Sequence, residues 1–291
     1  MPPPLSRGRQ VNNRNASLPA PTGRGRSENM ALVEIENYSI TYDGVRSAVD
    51  NVSMDVEEGE IVSIVGESGS GKSTLLHGIL GLLPRSAATR GSLKVFGKEI
   101  SKLSEAEQRA MRGKNMSIIF QDTGRYINPI GRIGKQFWQY LHVHGDYTKT
   151  QAHDLAVDLL QRVHMSDPER VLHAYPFELS GGMRQRVGIA MAMALQPKLL
   201  LADEPTSALD VTIQAQIVRQ MMELRKKYGT TIIIVTHNMG VASYMSDRIG
   251  VMKNGRLVEM DPAEELIHDA KDAYTRALLD AVIELDDERM A

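Results

Sequence analysis

The run Gly66-Glu67-Ser68-Gly69-Ser70-Gly71-Lys72-Ser73 follows directly on the apolar stretch Ile61–Val65, and it constrains the chain more than any other feature. It fits G-x-x-x-x-G-K-[ST], a pattern that needs a buried strand before it and a helix after it. Glycines let successive backbone N–H groups curl around phosphate oxygens, and the following helix aims its positive end at them. In that arrangement Lys72 neutralises the β and γ phosphates of a nucleotide, the Ser73 hydroxyl reaches Mg²⁺, and Thr74 lies in the same turn. An α/β chain is therefore expected.

Three more compact apolar runs agree with that expectation: Ser117–Phe120, Leu199–Ala202 and Thr231–Val235. Apolar runs without alternation suit strands buried on both faces, hence a parallel sheet under helices. Helical stripes lie between them, Leu155, Leu159 and Val163 on one, Ile213, Ile217, Met221 and Leu224 on another. Ahead of the loop, Leu32-Val33-Glu34-Ile35 and Tyr38–Tyr42 read as short strands, with a turn at Asp43-Gly44. No internal repeat is present. With 291 residues, 42% of them apolar, the chain can bury a large core.

Composition removes several classes of function. Thirty-four Lys and Arg against 36 Asp and Glu leave a net charge of −2, which gives no footing for general nucleic-acid binding. There is no cysteine, hence no disulfide, thiolate metal site or cysteine nucleophile. The longest apolar candidate, Val187–Ala202, is broken by Gln196-Pro197-Lys198, so no span of a membrane is expected. His142-x-His144 lacks the further ligands a tetrahedral metal needs and reads as solvated.

The first 29 residues are different in kind. Arg7, Arg9, Arg14, Arg24 and Arg26 stand against Glu28 alone, a local charge of +4, amid Pro, Asn, Ser and Gly. Residues 1–29 are expected to form a disordered basic tail, with Met30 available as a start. A tail resting on anionic lipid and an organellar presequence are the competing readings.

Two further motifs carry chemistry. Asp203-Glu204 ends the run Leu199–Ala202, where two carboxylates are costly unless a cation meets them. Asp203 suits Mg²⁺, and Glu204 suits orienting or deprotonating an attacking water. Leu179-Ser180-Gly181-Gly182-Met183-Arg184-Gln185-Arg186 opens an apolar helical stretch, a second helix N-terminus able to grip phosphate. One nucleotide loop and two gripping helix ends invite a dimer in which each chain holds the other's nucleotide.

This last motif resembles the signature of ATP-binding cassette proteins, and the resemblance runs from about Leu32 to Leu279. It implies a P-loop (RecA-like) nucleotide-binding domain at 30–260, with an antiparallel β subdomain at its N-terminal side. It also implies an inserted helical subdomain at about 122–188 and an extension at 261–291. By the same resemblance Tyr42 is the aromatic stacked on adenine, and Gln121 the glutamine that senses Mg²⁺ and water. Ser180, Gly181 and Gly182 would contact the partner's nucleotide, Asp210 would communicate across the dimer, and His237 would touch the γ phosphate. ATP and Mg²⁺ are the implied cofactors.

Gln121-Asp122, Asn128-Pro129, Ile133-Gly134-Lys135-Gln136, Asp210–Gln216 and Tyr274–Leu279 are similar to the ATPases of dipeptide, oligopeptide and nickel importers. Thr123-Gly124-Arg125-Tyr126, Asn238 and Lys271-Asp272-Ala273 depart from that branch, and the cysteine cluster that some of its members carry is not in this sequence. The expected function is to power a binding-protein-dependent importer of di- or oligopeptides from the cytoplasmic membrane face. The expected partners are a second, related ATPase chain, two transmembrane permease subunits and an extracytoplasmic binding protein. Nucleic acid is not among them. A nickel or metal-chelate importer and a cytosolic assembly ATPase are the alternatives. A chromosome-type cassette would need a long coiled coil between these motifs, and no heptad run of that length exists.

Overall fold

The computed structural model describes residues 31–290 apart from 43, 45 and 208, with the side chains of 46 and 282–290 also outside the description. The expectation for residues 1–29 lies outside the described residues.

Two sheets are stacked through one core. Strands β1 (Val33–Tyr42) and β2 (Arg46–Val56) form a hairpin. β3 (Ile61–Val65) leads through the glycine-rich loop into α1 (Lys72–Ile79). β4 (Ala87–Val95) and the two-residue β5 (Lys98–Glu99) return to the first sheet, whose order is β2-β1-β4-β5, antiparallel throughout. The two short runs read at 32–42 are one strand: β1 shifts register between Ile35 and Tyr38, where Asn37 takes φ 49° and donates its N–H to Ser53 Oγ at 2.8 Å.

After α2 (Glu105–Met111) the chain enters the second sheet at β6 (Met116–Ile119). Then come α3 (Ile133–His144), α4 (Lys149–Arg162), α5 (Pro168–His173) and α6 (Gly181–Met193), which pack on one another. Caps delimit them as local chemistry dictates: Thr148 and Gln151 form a reciprocal capping box on α4, and Asp167 caps α5 ahead of Pro168. β7 (Leu199–Asp203), α7 (Val211–Tyr228), β8 (Thr231–Thr236), α8 (Met239–Met245), β9 (Arg248–Lys253), β10 (Arg256–Pro262), α9 (Ala263–His268) and α10 (Ala273–Met290) complete the chain.

The second sheet runs β10-β9-β3-β8-β7-β6, parallel except at β10. Every residue of β3, β7 and β8 is buried, as unbroken apolar runs require when helices or another sheet cover both faces. Ile217, Met221 and Leu224 bury the expected stripe of α7, and Val163 is buried just past the end of α4.

The register decides where the chemistry lies. Val65 pairs with Thr236, and Asp203 pairs with Val235. The carboxyl ends of three adjacent strands thus bring the glycine loop, His237 and Asp203-Glu204 to one edge, where open α/β sheets bind ligands.

Candidate functional site

The loop after β3 is held by backbone on both sides. Gly66, at φ 149°, sits so close to Met252 O that a Cβ would approach it to 2.2 Å. Gly71, at φ 100°, stands in the same relation to Ala48 O, again at 2.2 Å. No side chain fits at either place, and both dihedrals lie where only glycine is unstrained. Lys72 folds back over the loop, donating from Nζ to Gly66 O at 2.7 Å and Glu67 O at 2.8 Å. Burial pushes its ammonium pKa down, while Glu204, Asp203 and Glu67 push the other way.

Ser73 Oγ donates to Asp203 Oδ1 at 2.9 Å. Asp203 is only 6% exposed, and burial pushes its carboxyl pKa up, with the Ser73 hydrogen bond opposing. A buried carboxylate facing one hydroxyl is an environment that a hard cation relieves, and Ser73, Asp203 and Gln121 offer oxygen ligands that fit Mg²⁺. Among the described residues no group of three or more His, Cys, Asp and Glu is placed to hold a metal.

Glu204 leaves β7 with φ 47°, a left-handed conformation costing about 1–3 kcal/mol. Its N–H donates to Val235 O at 2.8 Å, and its carbonyl accepts from Ser207 Oγ at 3.0 Å. The bend carries the carboxylate to the end of β8, where Oε2 lies 2.6 Å from His237 Nδ1.

Two cavities flank this edge. One, of about 440 Å³, joins Tyr42, Gly69, Gly71, Lys72, Ser73 and Thr74 to Asn254 and Gly255. The other, of about 590 Å³, joins Ser73, Gln121 and Asp203 to Gly181 and Arg184. Of the residues singled out in the sequence, Gly66, Glu67, Ser68 and Ser70 lie in the loop itself, and Gly182 lies in the first turn of α6. Ser180 and Asp210 do not line the Lys72 cleft. Each caps a helix, Ser180 Oγ accepting from Met183 N–H at 3.3 Å and Asp210 Oδ1 from Ile213 N–H at 3.0 Å.

Sequence reasoning missed Gln185. It is buried on α6, donating from Nε2 to Phe120 O at 3.0 Å and Pro205 O at 3.1 Å. Its Oε1 accepts from Thr123 Oγ1 at 2.8 Å and Thr123 N–H at 3.3 Å. One amide therefore ties the Gln121 segment, the signature helix and the turn after Glu204. The run Asn254–Glu259 is similar to the importer branch in sequence, but its place at the site was not foreseen: Gly255 N–H donates to Ser70 O at 2.9 Å, bracing the loop from outside. His142 and His144, set aside as a metal pair, have aromatic neighbours, Trp138 at 5.2 Å and Tyr140 at 5.1 Å between ring centres.

The family described as ABC transporter matches residues 49–207, more than half of the chain. This chain belongs to the ABC transporter family. Among its relatives, the oligopeptide transport ATP-binding protein OppD of Bacillus subtilis is 44% identical over 253 residues, 85% of this chain and 71% of that one. The dipeptide transport ATP-binding protein DppD of Escherichia coli is 41% identical over 268 residues, 90% of this chain and 82% of that one. A solved dimeric cassette, MJ0796 in a post-hydrolysis state bound to ADP and Pi, superposes with a TM-score of 0.72 at 30% identity. That match covers 79% of this chain and 98% of MJ0796. The chain is an ABC ATPase of the oligopeptide and dipeptide branch, and its cassette fold agrees with the antiparallel and parallel layers described above.

Proposed function

We propose that this cassette hydrolyses ATP to drive a binding-protein-dependent importer of di- and oligopeptides. The peptide transport named for its relatives supports the substrate class. The observation that carries the coupling is an aromatic stack. Phe120 and Tyr126 lie 3.7 Å apart with rings 13° from parallel, and both line two cavities at once. One cavity holds Ser73, Gln121 and Asp203. The other is a largely apolar groove of about 420 Å³ edged by Leu82 and Val143, both exposed. An open apolar groove beside a nucleotide-sensing loop fits a docking permease helix.

In this reading Tyr42 stacks on adenine, and the loop amides with Lys72 hold the phosphates. Mg²⁺, held by Ser73, Asp203 and Gln121, supplies charge neutralisation on the phosphate oxygens. Glu204 orients or deprotonates the attacking water, and His237, now on the Glu204 carboxylate, turns to the γ phosphate. Ser180, Gly181 and Gly182 serve the nucleotide of a second, related ATPase, and Asp210 faces that partner. Two permease subunits and an extracytoplasmic binding protein complete the complex, with this chain peripheral on the cytoplasmic face. Among the described residues no helix is long and apolar enough to cross a membrane.

Cells carrying Lys72→Ala lose uptake of labelled di- and oligopeptides while free amino-acid uptake continues. Retained peptide uptake with lost nickel-chelate entry would transfer the assignment to a metal importer. If neither changes, the importer reading fails.

A further inference from the structure

The structure assigns Tyr274, at the start of α10, as a positioning residue for the phosphate loop. The inference rests on reading Gly66–Ser73 as that loop. The peptide group between Gly66 and Glu67 is engaged at both ends. Its carbonyl oxygen accepts from Lys72 Nζ at 2.7 Å, and its N–H donates to Tyr274 Oη at 3.1 Å. The hydroxyl of a residue 207 positions further along the chain thereby sets the plane of the peptide that seats the phosphate-binding lysine.

Tyr274 is itself held firmly. Its N–H donates to Asp272 Oδ1 at 2.8 Å, and Lys253 Nζ sits 4.3 Å from its ring centre. The turn before it is clasped by Glu259 of β10, nine-tenths buried, which accepts from Lys271 N–H at 2.6 Å and Asp272 N–H at 3.2 Å. The ring packs in a cluster with Val65, the residue immediately ahead of the loop, and with Val251 of β9. A path of three hydrogen-bonded steps, Glu259 to Asp272, Asp272 to Tyr274 and Tyr274 to Glu67, thus runs from β10 to the loop. Burial keeps the phenol pKa above its ordinary value, so the hydroxyl stays neutral at physiological pH.

The loop then depends on α10 for one of its two peptide anchors, and freeing that peptide loosens Lys72 before any phosphate arrives. Losing a hydrogen bond that preorganises a site shows in binding more than in chemistry. Tyr274→Phe keeps the ring, its packing and the Lys253 contact, and removes only the hydroxyl.

The test uses the full chain. A fluorescent ATP analogue is titrated into wild type and Tyr274→Phe, steady-state ATPase kinetics are recorded, and both proteins are melted with and without ATP. Tyr274→Phe is expected to weaken analogue binding and raise KM about three- to tenfold, with kcat within about twofold, the effect of one net hydrogen bond. The rise in melting temperature that ATP gives should shrink, while the nucleotide-free melting temperature stays near wild type. Tyr274→Ala, which also removes the ring, should weaken binding further. If wild type binds the analogue and Tyr274→Phe matches it in affinity, KM and ATP-induced stabilisation, the inference is wrong and the phosphate-loop reading stands. A lower nucleotide-free melting temperature with unchanged nucleotide affinity also overturns it, since the hydroxyl then serves the fold alone. Wild type that binds no analogue overturns both.

Discussion

Gln185→Leu tests whether the Gln121 segment is held by the signature helix. Leucine nearly preserves the volume, so the change removes polar partners and little packing. Four hydrogen bonds disappear: to Phe120 O, to Pro205 O, and from the Thr123 hydroxyl and N–H. The Thr123 hydroxyl already lies 3.4 Å from Phe120 O and can turn onto it, which recovers part of two of the four. Pro205 O and Thr123 N–H are then left without partners in the interior. At about 1–3 kcal/mol for each stranded group, offset by added apolar burial, the net destabilisation is about 2–3 kcal/mol. For a domain of this size that lowers the melting temperature by about 5–10 °C. The Phe120 carbonyl, then held only from within its own segment and no longer by the signature helix, adjoins Gln121, so turnover measured well below the melting transition should fall about tenfold, a loss of about 1.4 kcal/mol in transition-state stabilisation. Gln185→Glu sharpens the test. A carboxylate keeps the Thr123 donors but faces two carbonyl oxygens without a proton, and burial raises its pKa. The folded-state value then exceeds the unfolded one, so the penalty is present at neutral pH and relieved as pH falls through the folded value. Its deficit against wild type should shrink toward acid, while the leucine deficit stays flat. A leucine variant destabilised by less than about 1 kcal/mol, with unchanged turnover, would refute the reasoning.

Three other outcomes are expected. Glu204→Gln retains ATP binding and slows hydrolysis about a hundredfold or more, read as trapped nucleotide and closed dimer in gel filtration. Ser180→Arg leaves nucleotide affinity of the isolated chain near wild type and abolishes dimer-dependent turnover, checked by activity against protein concentration. Asp203→Asn removes a buried charge whose pKa is pushed up by burial, so it should raise the melting temperature of the nucleotide-free chain while abolishing hydrolysis; a lower melting temperature would show that the carboxylate stabilises the fold.

Much of the site was legible because its chemistry is local. The glycine loop, Asp203-Glu204 and the helix opening at Ser180 each need a specific residue order within a few positions, and buried parallel strands announce themselves as unbroken apolar runs. Elements with mixed character were harder. β9 reads Arg-Ile-Gly-Val-Met-Lys, where a central glycine weakens the strand signal, although Val251 and Ile249 are buried. The kink in β1 split one strand into two apparent runs, because Asn37 leaves the pleat and places polar residues mid-strand. Gln185 stood inside the signature run with no role of its own to read. A polar residue on an apolar helix face looks like a surface position until the partners from residues 120, 123 and 205 are brought to it. Tyr274 stood in a run read only as a branch resemblance, and no local pattern shows that its hydroxyl meets Glu67, 207 positions away.

The closeness of Gly66 to Met252 O and of Gly71 to Ala48 O has an evolutionary meaning. The two ends of the loop rest on different layers, Met252 in the parallel sheet and Ala48 in the antiparallel one. Space for a hydrogen atom is all that separates backbone from backbone at each contact, so neither layer can drift toward the loop in a descendant sequence. Lengthening can accumulate at the tip of the β1–β2 hairpin, where a Cβ on Gly44 would meet no atom of the described residues within 4 Å. The Ala48 end of that hairpin is closed to it. Change in the outer sheet of this lineage should therefore be written as longer or shorter hairpins pivoting about one fixed alanine carbonyl.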